Sequence, residues 1–313
     1  MNKLIAIQKS QALQAPVDED QLIAEWRAWL KLQVDAVEIA STTAETYGRG
    51  MERLVKWLVA TKTDIVTDDT MLEFKRDMLK EFSASSVNTW LAGIRSFYGW
   101  AVGKGRMPHD PTATLRGGKR GNVNKSHKRD SLTDVEAKAL LELDLSPRDK
   151  AIIHLKLYCG LRDVEIHRAN FEHLATKQGR RILFIQGKGQ QEADEFIVVA
   201  KAETALLRWI RKRGNKSGPL FQSDSKRSKG KRLSLRSIRG LTKDAFKAVG
   251  ISEPSKTSHS TRHTAISKAI KQGGAMKGQT LGRHKSFETT KKYWHDQERV
   301  SDAPEDLIDY GEN

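Results

Sequence analysis

The stretch Leu281–Trp294, LGRHKSFETTKKYW, sets one phenol nine residues after one imidazole, with Arg283, Lys285, Lys291 and Lys292 around them. Residues 286–295 carry a helical pattern, so His284 stands just ahead of a helix that ends near Tyr293. A second stretch, HSTRH at His259–His263, gathers two imidazoles and a guanidinium in one helical turn. Zinc binding, anion clamping and a basic DNA-contacting face all fit those residue types. Zinc fits least well. His259 and His263 have i, i+4 spacing, but no glutamate lies between them and no third ligand is apparent. The choice between the other two turns on what else in the chain can converge on the same point.

Composition narrows the partner. The 313 residues carry a formal net charge of +16, so a polyanion is expected, either nucleic acid or an anionic membrane surface. Hydrophobic content of 38%, with seven Trp and nine Phe, supports folded cores, and the length allows two domains. No run approaches the roughly 18 to 20 apolar residues that span a bilayer, and the N-terminal residues lack a signal-peptide pattern. Cys159 is the only cysteine, which excludes an intrachain disulfide and a multi-thiolate zinc site. A cytoplasmic protein working beside nucleic acid, with no membrane partner, is the expectation.

Four amphipathic segments fill the first hundred residues. DEDQLIAEWRAWLKLQ sets Leu22, Ile23, Trp26, Trp29 and Leu30 on one side. A second helix begins at Ser41 and carries Tyr47, Met51, Leu54, Trp57 and Leu58. A third is capped at Asp68 or Asp69 and runs through Phe82; a fourth opens at Ser85 and closes at glycines. Such a series predicts a small bundle. The run from Gly103 to Asp130 breaks the pattern, with eight Lys or Arg among glycines and prolines, and reads as a basic linker.

Beyond the linker, helices open near Leu132 and at RDKAIIHLKLYCG. RRILFIQGKGQ then alternates into a Gly-Lys-Gly turn and EFIVVA follows, which predicts a hairpin. Helical patterns resume at Ala202–Arg213, Leu235–Val249, His259–Gln272 and Ser286–His295. RKRGNKSGPLFQSDSKRSKGKRLS holds nine Lys or Arg against one acid and reads as a mobile loop facing the polyanion. The expected fold is mainly α with a small β-sheet. It comprises a tail at 1–17, a helical bundle at 18–103, the basic linker at 104–130, a mixed α+β domain at 131–295, and an acidic tail at 296–313.

Phosphoryl transfer on a DNA backbone accounts for the unusual residues. Its transition state gathers negative charge on the non-bridging oxygens, which the planar, always-charged arginine fork holds two at a time. A covalent intermediate needs a hydroxyl nucleophile, and the leaving 5′-oxygen needs a proton. Four segments supply these groups in order: CGLRDVE with Arg162, QGKGQ with Lys188, HSTRH with His259 and Arg262, and LGRHKSFETTKKYW with His284 and Tyr293. A phenol with a reference pKa of about 10 is ionised about once in a thousand molecules at neutral pH. Supplying the anion costs about 4 kcal/mol, which a cationic cluster can offset. A lysine stays protonated at that pH and can donate. Neither step requires a metal, and no cofactor is expected.

These segments, in this order and closed by KSFETTKKY, resemble the tyrosine recombinase (phage integrase) family over residues 18–295. The resemblance implies the family's fold, with 18–103 as the core-binding, DNA-binding domain and 131–295 as the catalytic domain, in the compact Xer-like type. It implies that Arg162 and Arg262 clamp the phosphate, that Tyr293 forms a 3′-phosphotyrosine bond, and that Lys188 is the general acid. His259 and His284 would bind the phosphate or help proton transfer, and Glu165 would buttress Arg162 or a neighbouring histidine. By analogy, Arg49, Asn88 and Arg95 on the second and fourth helices, with Lys104 and Arg106, would contact DNA. The implied activity is site-specific recombination of double-stranded DNA at specific sites by a homo-tetramer, with room for accessory DNA-bending proteins. The acidic tail would dock on a neighbouring protomer. A type IB topoisomerase-like or telomere-resolving enzyme, or a non-catalytic DNA-binding protein of the same fold, are the alternatives.

The chain departs from the family pattern three times. Thr261 stands where leucine is usual, CGLR replaces Thr-Gly-x-Arg, and Arg283 interrupts Leu-Gly-His, which could displace His284 by one helical position. His263 is expected to be a packing or supporting residue. Tyr310, in the acidic tail without basic neighbours, is rejected as a nucleophile.

Overall fold

The computed structural model describes residues 19–117, 131–186, 193–284 and 286–294. The tails at 1–17 and 296–313 and the turn holding Lys188 lie outside the described residues. The chain falls into two units, residues 1–124 and 125–313.

The first unit is a four-helix bundle: α1 Glu19–Asp35, α2 Ser41–Thr61, α3 Asp68–Glu81 and α4 Ala84–Gly103. Helix α2 begins at Ser41 as expected, whereas the starts of α3 and α4 are set one or two residues earlier than the pattern indicates. Thr67, not Asp68 or Asp69, caps α3 by accepting from the Thr70 backbone N–H at 3.2 Å, and Ser83 caps α4 through Ser86. The acids fall instead in the first turn of α3, where they favour the helix dipole. Helices α2 and α4 pack closely because two glycines face each other's backbones. A Cβ on Gly50 would lie 2.5 Å from the Trp90 carbonyl oxygen, and one on Gly93 2.4 Å from that of Tyr47. The core gathers Trp26, Leu54, Met71, Phe74, Leu91 and Phe97, with Trp26 edge-on to Phe97 at 5.6 Å. Each such buried side chain contributes about 1.5–3 kcal/mol relative to exposure.

Residues 104–117, read as the start of the linker, belong to this unit. Met107 and Leu115 are buried in its core, and Arg95 donates to the Leu115 carbonyl. Two apolar anchors in a basic, glycine-bearing run are hidden by its average composition.

The second unit contains α5 Asp134–Glu142, α6 Pro147–Cys159, α7 Asp163–Arg168, β1 Leu174–Lys177, β2 Arg180–Gln186, β3 Ala193–Ile197, α8 Ala200–Arg213, α9 Leu235–Ala248, α10 Ser260–Gly282 and α11 Phe287–Trp294. The expected hairpin is β2 and β3, paired antiparallel with Phe184 opposite Glu195. A third antiparallel strand, β1, pairs on the far side of β2. Four residues, half of them exposed, carry too little alternation to mark it. Helices α6 and α8 and the sheet enclose a core of Ile152, Leu155, Leu183, Leu206, Trp209 and Phe221.

The basic segment read as a mobile loop is braced. Bridges join Gln222 to Arg232 and Ser223 to Lys229. The Arg213 guanidinium donates to the carbonyls of Gly214, Lys216, Gly218 and Pro219, and Arg232 to those of His167 and Ala169. Lys226, Arg227, Lys229 and Lys231 are left on its surface. The α10 pattern also runs further than Gln272. Gly274 breaks it at φ 79° and ψ 168°, and a second helical stretch carries the chain to Gly282.

Candidate active site

Helix α6 closes on Gly160 in the left-handed conformation (φ 61°), which turns the chain so that Arg162 becomes the N-cap of α7. Its backbone N–H donates to Glu165 Oε2 at 2.6 Å, and its Nη1 donates to Glu165 Oε1 at 2.8 Å. Its Nη2 donates to the Gly282 carbonyl at 3.3 Å. The side chain stays 34% exposed.

Arg262, in the first turn of α10, is only 1% exposed. Burial of a guanidinium requires acceptors, and Arg262 donates to the carbonyls of Gly160 and Gly282. Burial, then the charges of Arg162 and Arg283, lower its pKa to about 10, which leaves it charged at neutral pH. Arg162 and Arg262 therefore converge on one acceptor, the Gly282 oxygen, from two different helices.

His284 completes this corner. Its Nε2 is 3.4 Å from Arg262 Nη2, and its Nδ1 is 2.9 Å from Thr290 Oγ1 on α11. Burial, then Arg262, Arg162 and Arg283, push its pKa down to about 4, so the imidazole is neutral at pH 7. A guanidinium only donates, so Nε2 accepts and the proton sits on Nδ1, directed at Thr290. Gly282 is required here, because a Cβ would meet the His284 ring at 2.6–2.9 Å.

Tyr293 lies against the same group of residues. Its ring stacks on His284, with centroids 5.3 Å apart at 22°, and packs on His263 at 4.3 Å. With Ile266 and Ile270 it forms a small apolar cluster and is 7% exposed. Tyr293 thus lies, within one chain, against the imidazole that contacts Arg262, and close enough to act on Arg262 electrostatically. His263, expected to pack, does so against this ring. His259 is the N-cap of α10, with its ring 6.2 Å from that of His263.

The extra residue in Leu-Gly-Arg-His does not displace His284. Arg283 takes the left-handed conformation (φ 47°, ψ 50°) at the end of α10, with its N–H bonded to Thr280, and so absorbs the insertion. Its Nη2 donates to Glu165 Oε2 at 2.7 Å. Glu165 accordingly bridges Arg162 and Arg283, not a histidine. Burial works against its charge, but Arg283 and Arg162 hold its pKa below the usual carboxylate value. Thr261 is fully buried, and its hydroxyl is satisfied by the Ser258 carbonyl at 2.9 Å. Cys159 is buried, and that burial raises its thiol pKa to about 11, which leaves it unreactive.

Sequence reading missed a buried support beneath the site. Lys156 Nζ donates to Thr242 at 3.2 Å and also to Asp163 and Ser258. Asp163 follows Arg162 and Ser258 precedes His259, so one ammonium ties together the two turns that carry them. A lysine within an apolar helical run was the available signal.

The expected DNA contacts are scattered. Arg49 pairs with Glu45 at 3.6 Å and Arg106 with Glu25 at 3.1 Å, both on the surface. Asn88 and Arg95, two turns apart on α4, face Gly117 and Leu115. Lys104 is exposed at the end of α4.

Comparison with known proteins places these residues in context. The phage integrase family matches residues 130–299, and the phage integrase N-terminal SAM-like domain matches residues 27–105. Tyrosine recombinase XerC of Roseiflexus castenholzii is 27% identical over 299 residues, covering 88% of this chain and 90% of that protein. Tyrosine recombinase XerD of Listeria innocua is 27% identical, covering 82% and 89%. The fold is similar to that of XerH site-specific recombinase bound to palindromic difH substrate, with a TM-score of 0.71, 15% identity and coverage of 92% and 89%. A lambda integrase dimer bound to a COC′ core site gives a TM-score of 0.70 at 16% identity, covering 90% and 78%. Among the described residues no helix is long and apolar enough to cross a membrane.

Proposed function

The chain belongs to the phage integrase family, and on that footing we infer that it is a site-specific DNA recombinase of the tyrosine type. One observation carries the reading: the Tyr293 ring stacks on His284, whose Nε2 touches Arg262, which shares the Gly282 oxygen with Arg162.

The roles are those the family resemblance implies, and the geometry of Arg162, Arg262, His284 and Tyr293 supports them. Tyr293 Oη attacks the phosphorus of one strand; a phosphorus–phenol bond forms as the bond to the 5′-oxygen breaks. The phenolic proton is lost to a base, and the 5′-oxygen gains one from Lys188, so protons balance. Arg162, with an exposed edge, and Arg262 hold the non-bridging oxygens. His284, neutral and fixed by Thr290, serves as a hydrogen-bonding partner of that set, and His259 at the start of α10 faces the same phosphate. Attack by a partner strand's 5′-hydroxyl then reverses the chemistry and yields a Holliday junction.

Strand exchange between two duplexes requires several protomers, and we assign the working form to a tetramer on two specific sites, with accessory DNA-bending proteins as further partners. A plasmid carrying two copies of the native site tests this. Recombinant products that disappear with Arg162→Ala are expected. Relaxed circles or hairpin ends without recombinants would instead favour a topoisomerase-like or telomere-resolving enzyme.

A further inference from the structure

Arg283 is the residue that neither the chemistry above nor the family pattern uses. Its side chain is 11% exposed, and its guanidinium lies 2.7 Å from Glu165 Oε2, while Arg162 holds Oε1 of the same carboxylate at 2.8 Å. The Glu165 carboxylate is thereby divided between two cations. Two guanidiniums hold the buried carboxylate and Arg262 acts on it through space, so three cations against one anion leave two positive charges for a phosphate. Were Arg283 absent, Glu165 would act on Arg162 alone and one net charge would be left. The backbone adds a mechanical link, because Arg283 lies between Gly282, whose oxygen receives both other arginines, and His284.

We propose that Arg283 is a positioning residue for DNA cleavage, which shares the Glu165 carboxylate with Arg162 and so leaves part of the charge of Arg162 available to the scissile phosphate. This rests on the recombinase reading above. The site is not simply overloaded with cations, since the carboxylate lies between Arg162 and Arg283 and the neutral His284 adds no charge. Removing a charge that acts through another group should cost less than removing a donor that touches the transition state, for which about 10²–10³-fold is typical.

The test measures single-turnover covalent adduct formation by the full-length chain on a nicked suicide duplex, at saturating DNA, with DNA affinity measured separately. If the native chain forms no adduct, the recombinase reading fails. If it does, Arg283→Met should slow the adduct by about 10- to 100-fold with DNA affinity unchanged, and Arg283→Lys should recover part of the loss. Methionine and lysine share the backbone preference of arginine at this left-handed position, so strain is held constant. The charge argument makes a sharper demand. Arg283→Met combined with Glu165→Gln restores two net charges and should be faster than Arg283→Met alone. The acid limb of the rate profile should also move to higher pH in Arg283→Met, since one cation near His284 is lost. A native rate in Arg283→Met, or a double variant no faster than the single one, overturns the proposal. Should Arg283→Met fail to fold, the double variant against the native chain decides. Equal rates are expected, because both leave two net charges for the phosphate, and a slower double variant overturns the idea.

Discussion

At the scale of the residue, His284 makes a pH-dependent prediction that needs no DNA. Its ordinary pKa of about 6.5 falls to about 4 in the folded chain, through burial and the neighbouring guanidiniums. Between those values the unfolded chain binds more protons than the folded one, so stability rises with pH across that window. The contribution is complete above the unfolded value and is lost as pH falls through the folded one, with an upper bound of about 3 to 4 kcal/mol at 1.36 kcal/mol per unit. Urea unfolding of the native chain and His284→Asn should therefore show a gap at pH 7.5 that narrows at pH 5. A gap that is constant with pH would mean that the imidazole is not held neutral. Arg162, Arg262, His284 and Tyr293 were picked out through the resemblance of their segments to the tyrosine recombinase family, and the structure brings them together. Arg283 was legible only as an interruption. Its partner Glu165 is 118 residues away, and no local pattern reports which carboxylate a guanidinium will find.

At the scale of the element, the end of α10 does most to shape the site. Gly282 supplies the oxygen that both arginines share and leaves space for the His284 ring. Gly282→Ala should gain slightly in helix propensity, by up to about 1 kcal/mol, yet lose at least about tenfold in covalent adduct rate. Gly240→Ala on α9, where a Cβ meets nothing within 4 Å, is the matched control and should keep its rate. Equal rates in the two variants would show that the His284 ring position is immaterial. The helices themselves were legible from apolar periodicity, and their errors are physical. Hydroxyls one or two residues upstream, at Thr67 and Ser83, outcompeted Asp68 and Ser85 for the caps. Strand β1 was too short to show alternation, and the stretch ending at Gly282 was hidden behind the break at Gly274. The partners of Lys156 were hidden for the same reason as the partner of Arg283: Thr242 and Ser258 are 86 and 102 residues away.

At the scale of the whole molecule, two units, each with its own apolar core, account for where the buried aromatics lie in a chain of formal net charge +16. Composition indicated a polyanionic partner and two domains, but averaged away Met107 and Leu115, which attach the first part of the supposed linker to the bundle. What composition cannot supply is the point at which a DNA strand is cut. Capture of the broken strand tests that directly. The full-length chain is incubated with a duplex nicked so that religation is impossible, and the attached residue is identified by peptide mass spectrometry. A DNA adduct on Tyr293, absent in Tyr293→Phe, is the predicted result. An adduct on any other residue, or one that survives the substitution, would contradict the account.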